Sequence, residues 1–397
     1  MRSPSDRVLA VVLAVAFALA YVAAGAGEVT NYDYYGRLAQ ALLAGRWWLA
    51  EAPAHLNELL PCGDGRWCVA YPPMPALLSI PFLLLGAGPS LAQGLVSQLA
   101  GGASAGFLYA GLRALGIPRP IGLSGTVLSA LGTTLLFTSA DGRAWFAAHA
   151  VAMLFLSAAF REASRHGGSP LVLGALIGCA ALARLPVAAA APGLALLLAR
   201  RGDLRGTLVR TVAGGVPFAL VYFAYDVLRW GTPFDAGYAR LAEGDVYFEH
   251  GVFSLLYLPR HLQAIFLEPP DLVPGSLVLF RPRFIGMSLF LTTPAFLWIF
   301  LGLRRVRRDA AVAALALAAG LALVPDVTHA TVGFAQFGYR FSLDAQPMLV
   351  PLALAGDALA ATGWRRWPSA PFIAATVLAV AVNVYAVVVV LHLGYWQ

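Results

Sequence analysis

Apolar stretches about long enough to cross a bilayer, parted by short arginine-bearing turns, recur along this chain from Val8 to His392. A membrane-crossing helix needs about 20 mostly apolar residues, because the hydrocarbon layer is about 30 Å thick and each helical residue rises about 1.5 Å. Eleven segments approach that requirement: 8–27, 90–112, 120–138, 145–160, 169–183, 185–200, 207–228, 284–303, 310–325, 341–361 and 369–392. The pattern predicts an all-α polytopic membrane protein, one domain over residues 1–397 with about 11 transmembrane helices. Composition excludes the soluble alternative, since 59% of residues are hydrophobic and 12% charged, against about 25% charged in a soluble domain. No internal repeat or low-complexity tail is visible.

Every basic residue is an arginine, and the 27 of them recur in short runs between apolar segments. A nucleic-acid-binding module would gather them on one soluble face with aromatics between. Here they report topology instead, because arginines concentrate in loops that stay in the cytoplasm. With the N-terminus inside, the inner ends carry Arg2, Arg7, Arg113, Arg119, Arg161, Arg165, Arg200, Arg201, Arg205, Arg210, Arg304, Arg305, Arg307, Arg308, Arg365 and Arg366. Only Asp6, Glu162, Asp203, Asp309 and Asp357 offset them. The other side holds more acids than arginines. Arg2 and Arg7 ahead of an apolar core, with Ala24-Gly25-Ala26 behind it, also fit a signal peptide; its cleavage would leave ten spans in the same orientation.

Two outer segments are long, 28–89 and 229–283, whereas the inner loops are stubs. Irregular polar backbone belongs where it meets water or lines a cavity, so a site is expected on the outer face. In the first of these loops, Tyr34, Leu38, Leu42 and Gly45 fall on one helical face ahead of Trp47-Trp48, which predicts a short helix lying along the membrane surface. Tyr71-Pro72-Pro73-Met74-Pro75 then ends an extended piece and starts a second surface helix, about Ala76 to Leu85. Between them Cys62 and Cys68 flank a Gly-Asp-Gly turn. In an oxidising compartment they are expected to form a disulfide, the alternative being two free thiols. Cys179, inside a span, reads as a buried apolar residue.

The order of these features resembles the type-C glycosyltransferases, especially bacterial members related to protein O-mannosyltransferases and lipid A aminoarabinose transferases. The likeness rests on one span followed by an early acid in Asn31-Tyr32-Asp33-Tyr34-Tyr35, then on the Leu38 to Arg46 helix and the Tyr71-Pro72-Pro73 turn. It continues through Trp145 to Phe160 and Gln336-Phe337-Gly338-Tyr339-Arg340-Phe341. Many members carry Asp-Glu where this chain has Asp33-Tyr34. The resemblance implies a type-C fold in a bacterial inner membrane. It also implies a polyprenyl-phosphate sugar donor and transfer, usually with inversion, to an acceptor hydroxyl of a lipid, glycan or protein on the outer side. No dinucleotide fingerprint or P-loop argues for a nucleotide donor.

On this reading Asp33 is the expected catalytic base, drawing the proton from the acceptor hydroxyl; a helix N-cap is the alternative role. Arg340, Arg184 and Arg143 are expected to hold the donor phosphate as it leaves. Each has a plainer reading: an Arg340–Asp344 helix pair, a buried partner for Arg184, and an Arg143–Asp141 pair in a surface turn. Asp141, Tyr71, Asp235 and Tyr339 are expected substrate contacts. His149 faces the groove or bonds another helix, while His55 and Glu58 could bind acceptor or metal but read best as solvated surface. No His or carboxylate cluster has metal spacing, so no tightly bound metal is expected, and a divalent cation stays open. The competing function is a lipid or solute transporter without covalent chemistry, for which paired broken spans between two halves would be the sign.

Overall fold

The computed structural model describes residues 4–26, 30–200, 202–234, 236–274, 280–360 and 366–393. Asp235, Glu28, Arg2, Arg201, Arg365 and the C-terminal Tyr395-Trp396-Gln397 lie outside the described residues. Helix α1 (Pro4–Gly25) leads into the first long loop, which holds α2 (Tyr34–Leu43), strands β1 (Leu59–Pro61) and β2 (Trp67–Val69), and α3 (Met74–Leu84). Next come α4 (Pro89–Ala114), α5 (Arg119–Leu131), α6 (Leu135–Asp141), α7 (Ala144–Ser164), α8 (Pro170–Ala181), α9 (Ala191–Ala199) and α10 (Leu204–Trp230). The second long loop carries α11 (Ala236–Leu241), α12 (Leu258–Phe266) and the strand pair β3 (Asp271–Leu272) and β4 (Phe280–Arg281). Helices α13 (Leu289–Thr292), α14 (Trp298–Leu303), α15 (Ala310–Thr328), α16 (Gln346–Ala360) and α17 (Ala370–Ala386) complete the chain.

Among the described residues five helical segments are long and apolar enough to cross a membrane: α1, α7, α10, α15 and Ala370–His392. The number rises to seven if each of two bent pairs counts as one span, α3 with α4 (116°) and α5 with α6 (48°). Shorter apolar helices cover 170–181, 185–199 and 294–303. Several of the eleven expected spans are therefore short or broken. The 284–303 segment breaks at Thr293-Pro294 because proline has no N–H to continue the ladder. The 120–138 segment breaks after α5 at Gly132, whose carbonyl accepts from the Thr293 hydroxyl at 3.0 Å. Nearby, the Asn383 amide donates to Thr292 O at 2.8 Å. Broken backbone inside an apolar bundle is stable only when side chains of neighbouring helices satisfy it in this way.

Exposed Val8, Val11, Val15 and Leu19 on α1, and Val209, Val212, Leu220 and Val227 on α10, give these helices apolar outer faces suited to lipid. The inner face of α1 lies on α4 through small residues. A Cβ added at Gly102 would sit 2.5 Å from Ala18 N and 2.6 Å from Ala14 O. Only glycine allows backbones to approach so closely. At one end of this pair Arg113 binds Asp6 at 3.2 Å.

The first loop is folded onto the bundle. The Gln93 side chain on α4 accepts from Tyr35 N (2.9 Å) and donates to Tyr32 O (2.9 Å) and Gly142 O (2.8 Å), tying the start of α2 to the α6–α7 turn. Strands β1 and β2 pair antiparallel with Leu60 opposite Cys68. The Cys62 and Cys68 sulfurs are bonded across the turn, with Cα atoms 5.8 Å apart. Arg229, in the last turn of α10, donates to the carbonyls of Val69 and Tyr71, which anchors this hairpin to the end of α10.

Candidate active site

Where the first loop meets the ends of α6, α7, α8 and α15, a cavity of about 1530 Å³ opens. Its polar wall includes Asn31, Tyr32, Glu58, Tyr71, Asp141, Arg143, Trp145, Arg184, Asp326, His329 and Arg340. Leu185, Val324, Val390 and Leu391 are among its apolar lining. The combination suits an amphiphile with a charged head and a hydrocarbon tail.

Arg184 stands beside the cavity and donates through Nε to both carboxylate oxygens of Asp344, at 3.0 and 2.9 Å. Its Nη2 reaches Asp326 at 3.4 Å. Asp344 also meets His149 Nδ1 at 3.0 Å, so His149 bonds across helices and is fully buried. Two carboxylates thus neutralise Arg184, and this is the buried partner its place in an apolar turn requires. The helix pair expected between Arg340 and Asp344 does not form, because Asp344 is turned toward Arg184.

Arg340 is placed differently. It is 8% exposed, and its Nη1 donates to Phe334 O at 2.9 Å and to Gln336 Oε1 at 3.2 Å. Among the described residues its Nε has no hydrogen-bond partner. Among the described residues no carboxylate lies within ion-pair distance of it. An arginine solvated only by neutral acceptors keeps its charge available to an anion.

The four carboxylates on the cavity wall differ in the same way. Asp141 pairs with Arg143 at 3.2 Å and accepts from Arg143 N at 3.0 Å, the surface-turn arrangement foreseen for these two. Asp326 faces Arg184, and exposed Asp245 accepts from Tyr247 N at 2.9 Å. Among the described residues Glu58 has no arginine partner. Its Oε2 accepts from Trp145 Nε1 at 2.8 Å, and the same indole N–H lies 2.8 Å from the Tyr71 hydroxyl. Its backbone N donates to Tyr34 Oη at 3.1 Å. Burial pushes its carboxyl up to about 7, although the Trp145 hydrogen bond and the Arg340 charge pull the other way. Glu58 is thus a half-buried cavity group, which corrects its reading as solvated surface; His55 is exposed. His329 also lines the cavity, and burial brings its imidazole down to about 4.

Asp33 occupies the N-cap position of α2, but its side chain makes no capping bond. Its Oδ1 accepts from Arg37 at 2.6 Å and its Oδ2 from Ser90 at 2.9 Å. It is buried and absent from the cavity wall, where Asn31 and Tyr32 stand instead. Tyr339 is also absent from the wall, its hydroxyl bonding His261 Nδ1 at 2.8 Å. The structure brings Arg340, Arg184, Arg143, Asp141 and Tyr71 to one cavity and leaves Asp33 and Tyr339 behind it. Among the described residues no three His, Cys, Asp or Glu side chains are grouped to hold a metal ion.

No family model and no curated protein matches the chain. Its fold is similar to the crystal structure of ArnT from Cupriavidus metallidurans bound to undecaprenyl phosphate, with a TM-score of 0.53 and 15% sequence identity. The match covers 87% of this chain and 59% of that one, so the chain spans about three-fifths of the ArnT length. At this identity the likeness is one of fold.

Proposed function

We propose that this protein moves a sugar from a polyprenyl-phosphate donor to an acceptor hydroxyl at the extracytoplasmic membrane face. The observation that carries the reading is Arg340, a buried arginine without a carboxylate partner among the described residues, on the wall of a cavity that has apolar lining as well. The donor is such an amphiphile, an anionic phosphate joined to a long hydrocarbon, and undecaprenyl phosphate bound to ArnT is one of this kind.

In the transfer, the acceptor oxygen attacks the anomeric carbon and the bond from that carbon to the phosphate oxygen breaks. The electron pair leaves with the phosphate, and the acceptor proton passes to a base. Arg340 supplies the positive charge that the departing phosphate gains most from. Arg143, already paired with Asp141, offers a second guanidinium at the rim. Arg184 holds the wall through Asp344 and Asp326.

The test is mass spectrometry of lipid co-purified with the protein, followed by incubation with undecaprenyl-phosphate-linked glucose, mannose and arabinose carrying radiolabelled sugar. Cell-envelope extract supplies acceptors. Carrier-linked sugar in the preparation and label moving into extract components support the reading. A free solute as the co-purified ligand, with no label transferred from any donor, would sink it in favour of a transporter.

A further inference from the structure

We propose that Glu58 is the catalytic base, taking the proton of the acceptor hydroxyl while Trp145 and Tyr71 fix its position. The proposal rests on the glycosyl-transfer reading above and assigns a step within it. A general base needs a lone pair that faces the reactants and is not already held by a cation. Asp141 and Asp326 stand in ion pairs, and Asp245 is tied to a surface turn. Asp33 faces Arg37 and Ser90 behind the wall.

Glu58 meets the requirement. Its Oε2 is held by the Trp145 indole, and its Oε1 accepts no hydrogen bond from any described residue. The indole N–H reaches both Glu58 and Tyr71, so one donor orients two cavity groups. This is a base aligned by a third group, as nucleophile-activating sites require. Strength of the base points the same way. A carboxylate that titrates near neutrality accepts a proton far more readily than an ordinary one, whereas His329, brought down to about 4, is a weak competitor. Arg340 faces the same space, so the group that receives the proton and the group that receives the phosphate charge share one cavity.

The acceptor oxygen forms its bond to the anomeric carbon as its proton moves to Glu58 Oε1. The carbon–phosphate-oxygen bond breaks, and Glu58 afterwards returns the proton to water.

The experiment compares wild type, Glu58→Gln and Glu58→Asp in label transfer from the undecaprenyl-phosphate sugars, across pH 5–9. The Gln amide oxygen can still accept from Trp145, so folding should survive. Thermal melting and binding of undecaprenyl phosphate check that it does. Glu58→Gln is expected to lose about 10²–10⁴-fold in rate with carrier binding unchanged, and to lose the fall in rate on the acid side of about 7. Glu58→Asp should keep a pH-dependent remnant. Glu51→Gln, an exposed change in the same loop, should match wild type. A folded Glu58→Gln protein that transfers at the wild-type rate overturns Glu58 alone and leaves the glycosyl-transfer reading intact. A wild type that transfers from no donor overturns both.

Discussion

The indole Nε1 of Trp145, at the start of α7, lies 2.8 Å from Oε2 of Glu58, 87 residues earlier in the chain. The bond stabilises the charged carboxylate, and burial opposes it. Trp145→Phe removes the donor, so the Glu58 carboxyl should titrate higher. A hydrogen bond to a charged group is worth about 1.5–3 kcal/mol, so the rate at neutral pH should fall by about 10- to 100-fold. The acid limb of the rate profile should move to higher pH. An unmoved limb in Trp145→Phe would remove the indole from any positioning role.

The same carboxyl makes stability depend on pH. Its folded value of about 7 lies above the ordinary 4.5, so the folded state binds the proton more tightly than the unfolded chain. Its contribution is fully present below about 4.5, declines as pH rises, and is lost above about 7. Glu58→Gln cannot ionise. Its melting temperature relative to wild type should therefore rise between about pH 4.5 and 7 and then level off. A difference that stays flat across that window would mean Glu58 is solvated in the folded protein.

Arg340 and Arg184 should fail differently when changed to alanine. Arg184→Ala leaves Asp344 and Asp326 buried without their cation, a loss of about 3–5 kcal/mol. Little folded protein is expected. Arg340→Ala strands no carboxylate, so the protein should fold and bind undecaprenyl phosphate about 10- to 100-fold more weakly, in line with losing a charge-assisted hydrogen bond. Detergent size-exclusion profiles and titration with the carrier lipid distinguish these outcomes. Unchanged binding in Arg340→Ala would require another phosphate site.

Much of the helical frame is legible in the sequence because a bilayer demands long apolar runs, and α1, α7, α10 and α15 follow the segments expected from that demand. The breaks are less so. The break of 120–138 at Gly132 is matched by the Thr293 hydroxyl, which arrives from the break after α13, far along the chain. The site divides along the same line. Arg184, Arg340 and the Asp141–Arg143 pair stand out in the sequence as polar residues at span ends, and Tyr71 as part of the first loop's proline turn. Glu58 sits in a polar stretch beside Asn57, and only Trp145 and Tyr34, far along the chain or across the loop, make it a half-buried group. The sequence places Asp33 at the start of α2, and it stands there. Its side chain is held by Arg37, an i,i+4 pair that local spacing does encode, and by Ser90, 57 residues away, which it does not.

Close backbone contact between α1 and α4 makes a packing prediction. Any side chain at Gly102 must displace the backbone of Ala14 and Ala18, not the tip of a flexible group. Gly102→Val should therefore cost at least about 1–3 kcal/mol, the usual price of overpacking. Gly94→Ala, on the same helix with open space around it, should behave as wild type. Detergent thermal melts compare the two. Equal melting temperatures would show that α1 does not lie on α4 as described.

The membrane orientation is tested by cysteines at Gly244 and Arg307, both exposed and lying on opposite sides of the expected membrane. Gly244 is in the second long loop, near the end of the bundle that carries the cavity. Arg307 belongs to the Arg304-Arg305-Val306-Arg307-Arg308 run, whose charge should hold it in the cytoplasm. Each is introduced after Cys179→Ser, with Cys62 and Cys68 left bonded so that neither contributes a thiol. In intact cells an impermeant thiol reagent should label the Gly244 variant and not the Arg307 variant, and permeabilised cells should label both. The reverse pattern would put the cavity on the cytoplasmic side. Transfer at the extracytoplasmic face would then be wrong, because the acceptor would have to approach from the opposite side.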